Sequence, residues 1–348
     1  MAATLKDVAA LAGVSVKTVS NVVNGYGFVK PENRRRVEEA LATTGYRPHL
    51  GARNLRRGRT GFIALVLPEL SIPYFGELAA LVITAAQRRG WNVLIEQTQG
   101  TRDRERSALT AMGPHMIDGA ILSPQALATE DFAAFHREVP LVMVGEHAVD
   151  VPIDHVAIDN VLAARTAVGH LAGIGRRRIA AIGQNPHRGT ASLRLEGYRD
   201  ALTEAGLPLL DDLVVTAMEY HRHDGAEAMR HLLARQEPPD AVFCFNDLLA
   251  IGAMRAAVEH GLRIPEDLAV VGFDNTEESA YSIPSLTTIA PDKSAIAEAA
   301  VDLISRRGTA AAEDATFPVQ DIQTPFTLKI RESTVARTTQ LRRRGPEA

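Results

Sequence analysis

Short polar side chains that suit contact with base edges are grouped near the start of the chain. Between residues 15 and 24 they are mostly small donors and acceptors with one cation, and valines alternate with them. Side chains of this size approach base edges and phosphates closely. Together with a helix cap that precedes them, the residues predicted to contact a duplex here are Thr4, Ser15, Val16, Lys17, Thr18, Ser20, Asn21 and Asn24.

Two short helices joined by a glycine turn must position these side chains. Thr4 is a good N-cap for an apolar stripe at helical spacing, and Gly13 supplies the left-handed conformation that ends that helix. Ser15 then caps a second helix with valines on its inward face, and a third helix begins at Pro31 and runs to Gly45. This pattern predicts a helix-turn-helix, although periodicity alone leaves open an ordinary three-helix scaffold with no ligand.

Charge separates the first sixty residues from the rest of the chain. Residues 1–60 contain eleven lysines or arginines and four acidic residues, a net charge of +7, whereas the remaining residues carry −11. A basic head on an acidic body is typical of a nucleic-acid module joined to another domain. A chain of 348 residues has room for two or three domains.

After residue 61 short apolar runs alternate with helical stretches. The runs are FIALVL, WNVLIE, DGAILS, PLVMVG, RIAAIG, AVFCF and LAVVGF. Apolar strands that alternate with helices favour a parallel sheet covered on both faces. Since the units are about twice as many as one doubly wound sheet needs, we expect two such subdomains.

Motifs along the whole chain resemble one known family. They are TLKDVAALAGVSVKTVSNVVNG from residue 4, VKPENRRRVEEALATTGYRP from residue 29, ARNLRRGRTGFIALVLP from residue 52, IDN at 158–160, RLEGYRDAL at 194–202, FCFNDLLAIGAMRAA at 243–257, DLAVVGFDN at 267–275 and SLTTIAPD at 285–292. In this order they resemble the LacI/GalR (lac-repressor) family of bacterial transcriptional regulators. The resemblance implies a repressor that binds a palindromic operator as a homodimer or a higher oligomer, under the control of a small effector.

The resemblance also implies the domain organisation. We expect an all-α helix-turn-helix domain at residues 1–46, a hinge helix or linker at 47–60 and an α/β body at 61–336 that resembles type I periplasmic binding proteins. In the body, the N-subdomain comprises about 61–159 and 291–322, and the C-subdomain about 160–290 and 323–336. Residues 337–348 lack apolar periodicity and are expected to be disordered.

The basic segment at residues 47–60 has two interpretations. Because it is short and contains Gly51, an isolated helix there would be marginal, and composition alone favours a plain linker. The resemblance implies a hinge helix that orders over the DNA minor groove, with Leu55 as the apolar wedge and Arg53, Arg56 and Arg57 on phosphates.

A ligand of the body is expected beyond the carboxyl ends of its strands, where open α/β sheets bind ligands. By position and resemblance, the candidate effector residues are Tyr74, Phe75, Asp159, Arg188, Thr190, Arg194, Tyr220, Asn246 and Asp274. Structural roles remain open for some of them: Phe75 as packing, Arg194 in an ion pair, and the neighbouring Asp247 as a helix cap.

The chemistry of this set favours a sugar, because Asp, Asn and Arg side chains bind polyols with paired hydrogen bonds while aromatic faces stack on C–H groups. Arg188 and Arg194 equally suit an anionic effector such as a nucleotide, nucleobase or sugar phosphate. A solute-binding protein with the same body fold is a further alternative. The basic head and the lack of an export segment disfavour it.

Other classes of protein have little support in the residues. No P-loop, zinc-type Cys/His spacing or Gly-x-Ser-x-Gly elbow occurs, so we expect no enzyme, no metal and no cofactor. His221 and His223 are expected in a solvated loop. The single cysteine, Cys244, lies in an apolar run and rules out an internal disulfide. A reducing cytoplasm without membrane contact is therefore the expected location.

One position departs from the pattern of the family. Many members have arginine where Asn21 stands, and arginine prefers guanine whereas asparagine prefers adenine. Val16 and Lys17 also stand where members vary with operator choice. We therefore expect this chain to select a half-site that differs from the usual one.

Overall fold

The computed structural model describes residues 3–23, 28–46, 59–113, 115–132, 139–145, 151–185, 189–312 and 316–336. The chain divides into two compact units, Met1–Thr60 and Gly61–Ala348. Several sequence predictions fall outside the described residues, namely those for Asn24, Arg53, Leu55, Arg56, Arg57, Arg188 and residues 337–348.

The head unit contains three helices: α1 (Leu5–Ala12), α2 (Val16–Val23) and α3 (Pro31–Thr44). Thr4 and Asp7 form a capping box in which the Thr4 amide donates to the Asp7 carboxylate at 2.8 Å. Gly13 ends α1 in the left-handed region with a φ of 63°, as its position in the sequence predicts. Ser15 caps α2, since its Oγ accepts from the Thr18 amide at 3.1 Å.

A small apolar core joins the three head helices. Buried side chains from each helix meet there, and Val8, Val19 and Val37 are completely inaccessible to solvent. The Arg36 guanidinium reaches back to the Gly13 carbonyl at 3.4 Å, so α3 also supports the turn. The orientation of α2 therefore rests on packing against both neighbours.

The body unit contains two six-stranded sheets. The strands are β1 (Phe62–Leu67), β2 (Asn92–Gln97), β3 (Ala120–Leu122), β4 (Leu141–Val144), β5 (Asp154–Ala157), β6 (Ile179–Gln184), β7 (Val214–Thr216), β8 (Ala241–Cys244), β9 (Ala269–Phe273), β10 (Thr287–Pro291), β11 (Asp321–Gln323) and β12 (Phe326–Lys329). The first sheet has the order β11-β5-β4-β3-β1-β2 and is parallel throughout. The second has the order β12-β10-β9-β8-β6-β7 with only β12 antiparallel.

Helices cover both sheets. They are α4 (Pro73–Arg88), α5 (Arg102–Ala111), α6 (Thr129–Phe132), α7 (Asn160–Gly173), α8 (Gly189–Glu204), α9 (Arg222–Leu233), α10 (Asp247–Glu259), α11 (Glu277–Tyr281) and α12 (Lys293–Ala312). We call the lobe on the first sheet the N-lobe and that on the second sheet the C-lobe. The chain passes between the lobes after β5, between β10 and α12, and between β11 and β12.

The strands differ in burial according to their place in the sheet. The central strands β8 and β9 are buried along their whole length, which explains their continuous apolar sequences. The run WNVLIE also predicts a strand covered on both faces, but β2 lies at a sheet edge, where Leu94 and Ile95 are 37% and 39% exposed. In the part of the chain that the structure describes, no helix has the length and apolarity needed to cross a membrane.

Close helix packing sets the edge of the cleft in the C-lobe. A β-carbon on Gly225 would lie 2.1 Å from the Leu249 carbonyl oxygen, and one on Gly252 would lie 1.9 Å from that of Arg222. Helices α9 and α10 therefore approach backbone to backbone. This contact fixes the starts of both helices, where His221 and Asn246 are the N-caps.

Candidate functional site

An open cavity lies between the two lobes, and the empty space in it, together with the solvent at its mouth, amounts to about 730 Å³. The N-lobe contributes the first turn of α4 and the segments that follow β3 and β4, and the C-lobe contributes residues that follow β8 and β9. These are carboxyl ends of strands, where sheets of this kind bind ligands. The residues that line the cavity are Ile72, Tyr74, Phe75, Ser123, Gln125, Gly145, Ala157, Ile158, Asn160, Thr190, Arg194, Tyr220, Asn246, Phe273, Asp274, Pro291 and Ile296.

Arg194 joins several parts of the C-lobe wall. Its guanidinium carbon lies 3.6 Å from the centre of the Phe273 ring, and its Nε donates to the Asn160 Oδ1 at 3.0 Å. Nη1 donates to the carbonyl of Phe245. These contacts are a cation–π stack and hydrogen bonds to neutral groups in place of the structural ion pair considered above, so the positive charge is available to a ligand.

Asp274 lies in the cavity wall directly after β9. Burial raises the pKa of its carboxyl to about 7, against the opposing effect of the nearby Arg194 guanidinium. Near neutral pH the carboxyl therefore exists as both acid and carboxylate. It can donate as well as accept a hydrogen bond from a ligand.

Behind Asp274 lies a second buried carboxyl, that of Asp247. It accepts hydrogen bonds from the Thr276 amide at 2.8 Å and from the Thr288 hydroxyl at 2.6 Å. Burial raises its pKa to about 6 in spite of these donors. Asp247 thus fastens the loop after β9 to its own lobe. It does not cap α10, because that cap is Asn246.

Asn246 and Tyr220 form an adjoining part of the wall. Asn246 Oδ1 accepts from the Leu249 amide at 2.8 Å, and its Nδ2 donates to the Tyr220 carbonyl at 3.0 Å. The Tyr220 hydroxyl donates to the Gly183 carbonyl. Both side chains are therefore held in place at the cavity wall.

Two aromatic rings form the N-lobe side of the cavity. Tyr74 and Phe75 stand edge to face with their ring centres 5.3 Å apart, in the first turn of α4. Phe75 packs against the body core and also lines the cavity, so the packing and ligand roles coexist. Rings of this kind offer an apolar surface to C–H groups of a ligand.

Gln125 supplies an acceptor on the same side. Its Nε2 donates to the Pro124 carbonyl at 3.1 Å, which sets the orientation of the amide. Its Oε1 is buried and has no hydrogen-bond partner within the described residues. Glu105 accepts from the amides of Gln125 and Ala126 at 2.8 and 3.1 Å and so fixes this segment. A buried carbonyl without a partner is costly, so a ligand with a donor group would satisfy it.

Most of the predicted effector residues lie together at this cavity. Those that line it are Tyr74, Phe75, Thr190, Arg194, Tyr220, Asn246 and Asp274. Asp159 does not line it, because its Oδ1 caps α7 through the Leu162 amide at 2.8 Å, and its neighbour Asn160 lines the cavity instead. Their contact with a ligand stays a prediction.

Sequence reasoning missed Ser123, Gln125, Asn160 and Phe273. Ser123 and Gln125 follow the strand DGAILS, so the rule of strand ends already contained the information needed to find them. Phe273 is the last residue of β9 and was predicted only as strand. Asn160 was missed because the sequence does not show which of the two neighbours, Asp159 or Asn160, caps the helix and which lines the cavity.

His221 and His223 differ from the expected solvated loop. His221 is the N-cap of α9 and its Nε2 lies 3.1 Å from Glu69 of the N-lobe. His223 stacks on it and is exposed. Glu219, His223 and Asp224 place metal-ligand types of atom within 4.8 Å of one another, but on the exposed surface, where such groups are common.

On the head, α2 presents the predicted polar face to solvent. Val16 and Lys17 are exposed, while Thr18, Ser20 and Asn21 are partly exposed. Val19 and Val22 are buried on the opposite side. Thr4 and Ser15 are exposed, and their side chains cap the first turns of α1 and α2. The contact of this face with DNA stays a prediction.

Comparison with known proteins gives matches for both units. Residues 4–49 match the model of bacterial regulatory proteins of the lacI family, and residues 168–334 match the model of periplasmic binding protein-like domains. The HTH-type transcriptional regulator DegA of Bacillus subtilis is 34% identical over 295 residues, which cover 83% of this chain and 87% of DegA.

Two further relatives match over most of their length. The ribose operon repressor of Escherichia coli is 34% identical over 313 residues, 88% of this chain and 93% of that protein. The crystal structure of the lac repressor dimer bound to operator and an anti-inducer is 28% identical with a TM-score of 0.85, and the match covers 97% of this chain and 100% of that chain.

Proposed function

Because the chain belongs to the lacI family of bacterial regulatory proteins, whose members are DNA-binding transcriptional regulators and not enzymes, we propose that it represses transcription under control of a small effector. In this proposal the effector binds in the cavity between the lobes. The observation that carries the proposal is this cavity, which combines aromatic faces with a guanidinium, a carboxyl and a carbonyl oxygen without a partner.

The DNA contacts follow from the head. Two α2 helices of a homodimer would enter successive major grooves of a near-palindromic operator, as the lac repressor dimer binds its operator. Asn21 would help to read base edges from the exposed side of α2. The hinge residues Arg53, Leu55 and Arg56 would contact the minor groove and phosphates, with Leu55 as the wedge. The domain boundaries given above are part of this proposal.

The effector is proposed to be a neutral sugar or a sugar derivative. Among the described lining residues the charged groups are one guanidinium and one carboxyl, Arg194 and Asp274, so the cavity wall offers an anionic group only one cation to pair with. A neutral polyol matches this balance better than a phosphate does. Arg194 donors, the Asp274 carboxyl and Gln125 Oε1 would bind hydroxyl groups, while the rings of Tyr74 and Tyr220 cover the C–H faces. One relative is named for the ribose operon, which agrees with this class.

An anionic effector is the second candidate. It rests on Arg188, which lies outside the described residues and precedes Thr190 at the start of α8. A second cation in that position would shift the balance toward a nucleotide or sugar phosphate. We further propose a cytoplasmic location, since the regulator acts on DNA, and regard a solute-binding role as disfavoured by the basic head.

A thermal-shift panel on the full chain tests the effector class. D-ribose, cellobiose and adenosine represent neutral ligands, and D-ribose 5-phosphate and AMP represent anions. A ligand at 100 times its dissociation constant should stabilise the protein by about 2.7 kcal/mol. We expect the shift from a neutral compound, and we expect Asp274→Asn to abolish it while the surface variant Asp267→Asn preserves it. A shift from the phosphorylated compounds alone would contradict the sugar proposal.

A further inference from the structure

The loop that carries Asp274 has an unusual backbone. Asp274 and Asn275 both lie at positive φ, with values of 107° and 47°. Residues other than glycine rarely adopt such values, and they keep them only where surrounding contacts enforce them. The loop therefore needs to be held, and the contacts that hold it decide where the Asp274 side chain points.

Part of the support comes from the C-lobe itself. Arg331 Nη2 donates to Asn275 Oδ1 at 2.6 Å, and the Asn275 amide donates to the Thr288 hydroxyl at 3.2 Å. With the bond from the Thr276 amide to Asp247 and the bond from the Asp274 amide to the Ile289 carbonyl at 2.9 Å, these contacts fix the loop from behind. None of them reaches the Asp274 carbonyl.

The remaining support comes from the N-lobe. Lys293, the first residue of α12, donates through Nζ to the carbonyls of Asp274 and Asn275 at 2.9 and 3.1 Å. The same ammonium group pairs with Glu77 of α4. The second Glu77 oxygen accepts from the Glu277 amide at 3.1 Å. Only 11% of the Lys293 side chain is exposed, so its bonds to the two carbonyls are largely shielded from water, whereas Glu77 is 33% exposed.

The two helices that provide this support are packed on each other and on the N-lobe sheet. Helix α12 packs on α4 and on the sheet strands β3, β4 and β5. Ion pairs join α4 to α12 further along, with Arg89 at 3.1 Å from Glu298 and 3.5 Å from Asp302. A displacement of the N-lobe would therefore carry Glu77 away from the loop and part it from Lys293, which stands where the chain crosses between the lobes.

From these contacts we infer that Lys293, oriented by Glu77, is a positioning residue that holds Asp274 in its ligand-facing conformation and ties the loop at residues 274–277 to the N-lobe. The effector site is thus complete only when the lobes are close together. The inference rests on the proposed function for the role of Asp274 toward a ligand, whereas the tie between the lobes stands on the contacts alone.

Hydrogen exchange on the free full-length protein tests the positioning role. In Lys293→Met we expect amides of residues 274–277 to exchange about tenfold faster, which corresponds to about 1.4 kcal/mol of lost protection. Lys293→Arg should restore most of the protection, and Glu77→Gln should lower it in the same direction. The control is Arg306→Met, since Arg306 lies on the same helix in an exposed ion pair with Asp302.

The lobe tie has its own measurement. Spin labels at Gln87→Cys and Glu227→Cys, which are exposed positions on α4 and α9, report the distance between the lobes, and the buried Cys244 does not compete for the label. Lys293→Met should add a longer distance that Arg306→Met lacks. Because neither experiment contains an effector, both results stand whether or not a compound in the ligand panel binds.

Two outcomes overturn the inference. Exchange at residues 274–277 within twofold of the parent, together with an unchanged distance distribution, would show that Lys293 positions nothing. Faster exchange spread evenly through both lobes would show a global loss of stability instead. If Lys293→Met does not fold, the comparison of Glu77→Gln with Lys293→Arg decides between the same outcomes.

Discussion

The head and the body build their candidate sites in different ways. In the head, most of the predicted DNA-contacting side chains follow one another along α2 and reach solvent, while Val19 and Val22 face inward. In the body, the cavity is assembled from segments that are up to about two hundred residues apart, and several of its polar groups are buried and hydrogen-bonded within the wall. A change on the exposed face of α2 should thus alter recognition with little effect on stability, whereas a change in the cavity wall should alter both.

Arg194→Leu should give the largest effect. The substitution removes the cation over Phe273 and leaves the Asn160 Oδ1 and Phe245 carbonyl without their donor. We expect a loss of about 2–4 kcal/mol in effector binding, and a smaller loss of stability, since buried acceptors are left unsatisfied. Titration of the compound identified in the ligand panel measures the first, and urea unfolding the second.

A variant on the exposed side of the same helix provides the control. Arg199→Leu removes a side chain that is half exposed and 3.8 Å from Asp211, so binding should not change. If both variants bind the effector with equal affinity, Arg194 has only a structural role, and a change in the cavity wall does not alter recognition as expected.

Asp274→Asn should change how stability depends on pH. The pKa of Asp274 is raised to about 7 in the folded protein, so its contribution is fully present below the unfolded value near 4 and is lost as pH rises through about 7. The variant should therefore be more stable than the parent at pH 8, by about 1–3 kcal/mol, and equal to it near pH 4. Unfolding by urea at a series of pH values measures the difference.

Asp267 gives the opposite sign and serves as control. The Arg263 guanidinium lowers the pKa of Asp267 to about 2, so its contribution is present above pH 4 and is lost as pH falls through about 2. At pH 8 Asp267→Asn should thus be slightly less stable than the parent. Equal behaviour of the two variants would contradict the assignment of Asp274 as a buried acid.

Thr4→Ala tests the head with a smaller effect. The substitution removes the side-chain half of the capping box that starts α1. It should destabilise the isolated head, residues 1–60, by about 1 kcal/mol and leave the unfolding of the body unchanged. Circular dichroism on the head and thermal unfolding of the full chain separate the two, and a shift in the body transition would show that the units are coupled.

Asn21→Arg should have the smallest effect on stability and a clear effect on recognition. The side chain lies on the exposed side of α2, so the free energy of unfolding should change by less than about 0.5 kcal/mol. Selection from random duplexes should yield a different half-site, with guanine favoured where the parent favours adenine. If both proteins select one half-site, Asn21 does not read a base.

The head could be predicted from the sequence more completely than the cavity of the body. Caps, the glycine turn and the polar face of α2 depend on neighbours within four residues, so Thr4, Gly13 and Ser15 could be placed in advance. The rule that ligands bind at strand ends found most of the predicted effector residues in the cavity wall. It could not choose between Asp159 and Asn160, because a shift of one residue in the start of the helix decides which side chain caps it and which one lines the wall.

Contacts across the cleft had no local pattern at all. Lys293 and Glu77 are separated by more than two hundred residues, and nothing in the sequence around either one indicates the other as its partner. Likewise, Gln125 Oε1 is recognised as an acceptor without a partner only when the positions of all neighbouring donors are known. Such features arise from tertiary packing, which composition and periodicity do not record.

The close contact of α9 and α10 has a genetic consequence. Gly225 and Gly252 do not line the cavity, yet a β-carbon at either position would collide with the backbone of the facing helix. The helix starts that carry His221 and Asn246 would then separate, and the cavity wall would lose its shape. A screen for alleles that no longer respond to the effector should therefore recover these two codons among its hits, although neither encodes a residue of the cavity wall.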